Sequence, residues 1–326
     1  MTSQTSAQQP IDSPFGATST ASDVLDGIDL SGRLVLMTGG YSGIGLEATR
    51  ALAAAGAHVV VPARRPDVAR EAVADIDDVE VDTLELADQA SIADFADRFL
   101  ASGRDIDLVI NSAAVMANDY TTVGPGWESQ FGINHLGHYA LVNRLWPAIA
   151  RGRGRVVAVS SAGHRRNGIV WDDIDSARSY DKWRAYAQAK TANALFALEL
   201  DDLARAAGVQ AFSVHPGGIM TPLQRHLPRE ELIARGWIDA DGNVTDPSLK
   251  SPEQGAATMV WAATSPLLAD LGGIYCEDCN VAEIISDDQT DAAHGVREWA
   301  VDPEQARRLW ALSAERTGVD AFAASS

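Results

Sequence analysis

The chain has 326 residues, 46% of them hydrophobic, enough for a globular protein with a sizeable core and within the range of one α/β domain. A formal charge of −19 and a pI near 4.6 argue against nucleic acid and anionic membranes as partners. No apolar run approaches the ~20 residues of a transmembrane helix, and no basic segment followed by an apolar core opens the chain, so no membrane partner and a cytoplasmic location are expected.

Residues 1–18 are rich in Ser, Thr, Gln and Pro and are expected to form a mobile tail. A short helix is expected between Ser19 and Gly27, with Ser19 or Thr20 as its N-cap. The apolar run Leu34-Val35-Leu36-Met37 reads as a buried strand. It runs into Thr38-Gly39-Gly40-Tyr41-Ser42-Gly43-Ile44-Gly45, a glycine-rich turn, and then into a helix. This is the strand–turn–helix context of a dinucleotide site. Gly39 permits the tight turn, Gly43 lets the backbone approach a pyrophosphate, and Gly45 lets helix and strand pack closely. The helix N-terminus then offers free N–H groups and a positive dipole end to phosphate.

Further strands are expected near 58–62, 80–85, 107–111, 155–160, 210–215 and 273–276. Helices are expected at 43–55, 91–101, 127–149, 179–207 and 252–263. The alternation predicts a Rossmann-like, doubly wound parallel sheet in a single α/β domain over 19–300, covered on both faces. Thr38, Asn111, Ser160-Ser161 and Pro216-Gly217 all follow strands, so one cleft at the carboxyl edge can collect them. The segment 218–250 leaves from the same edge. It is long for a connection, and its Leu223, Leu227, Ile233 and Trp237 suggest a lid over an apolar substrate. A last helix near 303–316 is expected to pack within 301–326.

Tyr186 and Lys190 stand four residues apart in a helical stretch. That spacing puts a phenol and an ammonium on one face, roughly 5–6 Å apart at Cβ. A phenol titrating near ~10 must shift by about three units to exchange protons near neutral pH, and a nearby cation favours that shift. For the cofactor, the second strand ends Pro62-Ala63-Arg64-Arg65, with no carboxylate before Asp67. An acidic residue there would grip the 2′-hydroxyl of NAD, whereas arginine suits the 2′-phosphate of NADP. NADP is therefore the expected cofactor, with NAD the alternative. Cys276 and Cys279 lack the second pair that a structural zinc needs, so no metal is expected.

These motifs resemble the short-chain dehydrogenase/reductase family, whose typical members carry Thr-Gly-x-x-x-Gly-x-Gly and Tyr-x-x-x-Lys. The resemblance covers about residues 31–285. Asn111-Ser112-Ala113-Ala114 is similar to the family's Asn-Asn-Ala-Gly, Asn134 falls in the segment of the catalytic Asn, and Ser161 follows a strand as the catalytic Ser does. Pro216-Gly217 and Thr221 match the segment beside the nicotinamide. Asn134-His135-Leu136-Gly137-His138 and Trp183-Arg184-Ala185-Tyr186 resemble the retinol dehydrogenase and WW-domain oxidoreductase branch. Ala114 and Glu85 depart from the family pattern. The resemblance implies an oxidoreductase acting on a carbonyl or alcohol substrate, a small to medium apolar compound. Tyr186 would be general acid and base, Lys190 would lower its pKa and bind the nicotinamide ribose, Ser161 would orient the substrate oxygen, and Asn134 would hold a relay water. Cofactor contacts are implied at Gly39, Tyr41, Ser42, Gly43, Ile44, Gly45, Arg64, Asn111, Ala113, Tyr186, Lys190, Pro216, Gly217 and Thr221. His164 could line the pocket or be structural; His135 and His138 read as structural. A homo-oligomer, dimer or tetramer, is a further expectation. The competing readings are a nucleotide-binding scaffold or sensor without turnover, and an epimerase or dehydratase on the same fold.

Overall fold

The computed structural model describes residues 8–286, 288–289 and 292–323. Its strands are β1 (Leu34–Thr38), β2 (His58–Ala63), β3 (Val79–Thr83), β4 (Leu108–Asn111), β5 (Thr122–Val123), β6 (Trp127–Glu128), β7 (Arg155–Val159), β8 (Gln210–His215), β9 (Ile274–Glu277), β10 (Asn280–Val281), β11 (Ile284–Ile285) and β12 (Val296–Arg297). Its helices are α1 (Ala21–Leu25), α2 (Gly43–Ala54), α3 (Pro66–Ala72), α4 (Gln89–Ala101), α5 (Ser129–Phe131), α6 (His138–Gly152), α7 (Lys182–Ala204), α8 (Arg229–Ala234), α9 (Pro252–Thr264) and α10 (Pro303–Thr317). One sheet of eight strands has the order β10-β9-β8-β7-β4-β1-β2-β3. It is parallel except where β10 folds back on β9. The chain winds outward from β1 in both directions, and the reversal between β1 and β4 opens a crevice at the strands' carboxyl ends.

Every residue of β1 is buried, and its side chains alternate between two cores. Val35 and Met37 enter the core beneath α1, α2 and α9, with Leu52, Phe212 and Trp261. Leu34 and Leu36 enter the core beneath α4, α6, α7 and α10, with Phe95, Tyr139 and Phe196. The doubly wound parallel sheet expected from the alternation of elements is the observed fold.

Three local expectations change. The helix expected over 127–149 is broken into a hairpin strand, a short helix, a π turn over Gly132–Gly137, and α6. The Glu128 carboxylate starts the helix by accepting from the N–H groups of Gln130 and Phe131. Gly137 lets the turn lie against the loop after β3, since a Cβ there would come 2.5 Å from the Leu86 carbonyl oxygen. The helix expected over 179–207 begins later, at Lys182, because Asp181 caps the N–H groups of Trp183 and Arg184. The tail expected to be mobile over 1–18 is anchored in its described part, the rest lying outside the described residues. Gln8 is buried, donates to the carbonyls of Tyr275 and Ala282 at 2.8 and 2.7 Å, and accepts from the Tyr275 N–H at 2.8 Å. Ile11 and Phe15 pack against the core under α9. Among the described residues no helix is long and apolar enough to cross a membrane.

Candidate active site

The crevice contains a cavity of about 690 Å³ lined from the ends of β1, β2, β4, β7 and β8. At its floor the glycine turn packs on itself: a Cβ at Gly45 would lie 2.2 Å from the Gly39 carbonyl oxygen. Gly43 has φ +54°, and Thr221 at the root of the 218–250 segment would sit 3.1 Å from a Cβ there. Ser42, the N-cap of α2, makes no side-chain capping bond. The first N–H groups of α2 are thus left for an anion at a helix N-terminus.

Thr38 ties the turn to the next strand. Its hydroxyl accepts from the N–H groups of Ser112 and Ala113 at 3.0 and 3.2 Å and contacts His138 Nε2 at 2.9 Å. His138 Nδ1 lies 3.0 Å from the Asn134 carbonyl, which can only accept, so Nδ1 carries the proton and Thr38 donates to Nε2. Burial pushes this imidazole down to about 4, keeping it neutral. His135 is likewise neutral, pushed to about 3 by burial, and bonds Ser313 of α10 at 2.8 Å.

Ser161, Tyr186 and Lys190 converge on the cavity. Ser160 does not compete with Ser161, because its buried hydroxyl donates to the Lys190 carbonyl at 2.7 Å. The Lys190 ammonium donates to the Val159 carbonyl at 2.9 Å and lies 5.5 Å from the centre of the Tyr186 ring. The expected lowering of the Tyr186 pKa by Lys190 is not observed. Burial pushes the phenol up to about 12, opposed only by the hydrogen bond with Ser161. Burial also pushes Lys190 down to about 7, which weakens it as a cation near neutrality.

Two expected site residues lie behind the cavity wall. Both polar atoms of the Asn134 side chain bond Val115, accepting from its N–H and donating to its carbonyl at 2.9 Å each. Asn134 therefore holds the strand-end loop in place, and its amide keeps a second N–H and a second lone pair beyond those bonded to Val115. Asn111 is buried beneath Ser112 and Ala113, with neither side-chain polar atom hydrogen-bonded within the described residues. The other expected cofactor residues all line the cavity. An uncapped helix N-terminus, glycines that only backbone can approach, and the Ser112–Val115 wall fit an extended dinucleotide better than a compact ligand. Among the described residues no cluster of His, Cys, Asp and Glu could hold a metal ion.

His164 is structural and does not line the cavity. It is fully buried and pushed down to about 3, first by desolvation. Cys276 and Cys279 are buried free thiols, both raised by burial.

The 218–250 segment forms a roof. A 3-10 turn over Pro222–His226 is capped by Thr221, and α8 follows. Leu227, Leu223 and Trp237 pack with Met116, Trp183 and Tyr186. Ile233, expected on the same face, is instead exposed at 38%. Glu231 latches the roof to α7. It pairs with Lys182 Nζ at 2.5 Å, accepts from Trp183 Nε1 at 2.8 Å, and accepts from Arg235 at 3.1 Å. These partners, Lys182 first, hold its carboxyl down to about 2. The Arg235 guanidinium lies 4.0 Å over the Trp183 ring. Trp183, Glu231, Arg235 and Arg225 escaped the sequence reading as site residues. The i, i+4 spacing of Glu231 and Arg235 was the one available signal, and it reads equally well as a solvated surface pair.

A family model described as short chain dehydrogenase matches residues 33–232. A probable oxidoreductase of Streptomyces lividans is 41% identical, covering 88% of this chain and 98% of the relative. Retinol dehydrogenase 12 of Homo sapiens is 33% identical, covering 90% of this chain and 88% of its own. An uncharacterised protein of Mycobacterium Paratuberculosis of known crystal structure superposes with a TM-score of 0.72 at 30% identity, covering 94% of this chain and all of the other.

Proposed function

The chain belongs to the short-chain dehydrogenase/reductase family, and from that premise we propose that it is an NADP-dependent oxidoreductase interconverting an apolar ketone or aldehyde and its alcohol. The observation that carries this reading is the convergence of Ser161, Tyr186 and Lys190 on one cavity under an apolar roof. A bound nicotinamide would supply the hydride to the carbonyl carbon, or accept it from the alcohol. Tyr186, protonated throughout the neutral range, gives its proton to the carbonyl oxygen in reduction and takes it back in oxidation. The Ser161 hydroxyl donates to the same oxygen and sets its position beside the phenol. Lys190, fixed by the Val159 carbonyl 5.5 Å from the centre of the Tyr186 ring, would bind the nicotinamide ribose, as the family resemblance implies.

Arg64 and Arg65 at the end of β2 support the 2′-phosphate form of the cofactor. Glu85 lies 3.7 Å from Arg64 and neutralises part of its charge, but Arg65 has no ion pair among the described residues. Met116, Leu223, Trp183 and Trp237 around Tyr186 support a substrate with an apolar body. A panel of ketones and aldehydes with NADPH, followed at the reduced-nicotinamide absorbance, tests the reading. Steady turnover of apolar members is the expected result. Binding of NADPH without turnover of any member would favour a scaffold or sensor.

A further inference from the structure

Arg225 stands where no residue of the strand-end motifs would place a cation. It sits in the 3-10 turn of the roof, two residues from Leu223, yet it lines the same cavity as Arg64 and Arg65 from the end of β2. Its guanidinium donates to the Pro222 carbonyl at 3.0 Å, which aims the head back over the roof's root. Its pKa is held below the ordinary arginine value by partial burial and by the charge of Arg64, with Tyr41 opposing and Arg65 adding to the effect. Three cations thus crowd one rim of a chain whose acidic residues outnumber basic ones, 45 to 26. Among the described residues neither Arg65 nor Arg225 has a carboxylate partner, and Arg64 has only Glu85 at 3.7 Å. Crowded guanidinium groups that face a cavity and lack internal counter-charges suit an anion with several oxygens.

We propose that Arg225 is a third guanidinium of the 2′-phosphate site, so that a dinucleotide carrying that phosphate draws down the root of the roof and one lacking it does not. The proposal rests on NADP being the cofactor. It adds that the roof itself reads the phosphate. Thr221, which roofs Gly43, and Glu231, which latches α8 to the helix of Tyr186, lie on either side of Arg225 in the chain. A pull on Arg225 is therefore applied between the pyrophosphate turn and the substrate wall. Cofactor identity and closure over the substrate become one event.

The test uses the full chain and needs no turnover. Calorimetric titration with 2′,5′-ADP and with 5′-AMP isolates the phosphate. Wild type should bind 2′,5′-ADP more tightly. Arg225→Gln should lose about tenfold of that affinity, the size of one charge-assisted hydrogen bond, and keep its affinity for 5′-AMP. Arg225→Lys should recover part of the loss. In parallel, NADP should protect wild type from a glutamate-specific protease at Glu230 and Glu231, whereas saturating NAD should not, and the NADP protection should vanish in Arg225→Gln. Equal binding of the two probes by wild type overturns the NADP reading and this proposal together. A preserved wild-type preference that Arg225→Gln leaves unchanged overturns only the role of Arg225, as does an equal loss for both probes.

Discussion

His164 Nδ1 lies 2.7 Å from the carbonyl oxygen of Ser161, while its Nε2 accepts the N–H of Arg297 at 3.2 Å. A carbonyl cannot donate and an amide cannot accept, so the tautomer is set, with the proton on Nδ1. The Tyr275 hydroxyl also reaches that carbonyl, at 3.3 Å. The backbone of Ser161 is thus pinned from behind by a residue of β9 and, through His164, by one of β12. His164→Ala should leave the Arg297 N–H unpaired and cost about 1–3 kcal/mol for that donor alone. Urea unfolding measures it, and a loss below ~0.5 kcal/mol, the level of an ordinary surface change, would show that the pin carries little.

Tyr186→Phe removes the phenol that lines the cavity together with Ser161 and Lys190. Turnover should fall about 10²–10⁴-fold, the usual worth of general acid–base catalysis. NADPH affinity by fluorescence titration should stay near wild type. Retention of more than about a tenth of the rate would assign the proton to another group.

The titrations of Tyr186 and Lys190 predict opposite pH behaviour in the two directions. With the phenol pushed up to about 12, reduction starts from the protonated acid at any pH from 6 to 9 and should vary little there. Oxidation requires the phenolate, so its rate should climb with pH over the same interval. Initial rates in both directions across that range decide it. A flat oxidation profile would mean the phenol ionises well below its burial-raised value.

Lys190 also links to stability. Its folded pKa of about 7 lies below the ordinary 10.5. Between those values the unfolded chain binds more protons, so this residue's contribution to stability improves as pH rises from 7 to 10.5. Below pH 7 its burial penalty is present in full. The stability of wild type relative to Lys190→Met should therefore rise over pH 7–9 in urea unfolding of the nucleotide-free chain. A constant difference would show that the ammonium keeps its charge in the fold.

The roof should select substrates. Leu227 is buried against Tyr186 and Met116, and Trp237 packs edge-on to Trp183 at 6.4 Å. Leu227→Ala and Trp237→Ala should shift KM ratios between slim and bulky ketones, in favour of the bulky ones, and spare NADPH affinity. An unchanged ranking would move selectivity to Met116 and the wall below it.

For the cofactor, Arg64→Ala should narrow the preference for NADPH over NADH, read by titration of both. A wild type that prefers NADH would refute the arginine reading outright.

The features legible in the residues were those whose physics is local. A glycine turn between an apolar strand and a helix, and a phenol four residues from an ammonium, are statements about 5–15 consecutive positions. The parallel, doubly wound sheet followed from alternation, because a right-handed crossover leaves few other choices. What tertiary structure alone decided were quantities set by neighbours distant in sequence. Burial reversed the expected direction of the Tyr186 pKa, since desolvation depends on the roof and α7 together. Val115 fixed the side chain of Asn134, and Ser161 and Arg297 consumed the ring of His164. Gln8, polar and near the start, became a buried partner of β9 because its amide satisfies the buried N–H of Tyr275 and bonds the Tyr275 carbonyl. Arg225 joined Arg64 and Arg65 only because the roof folds back over the glycine turn, a contact that no spacing along the chain encodes.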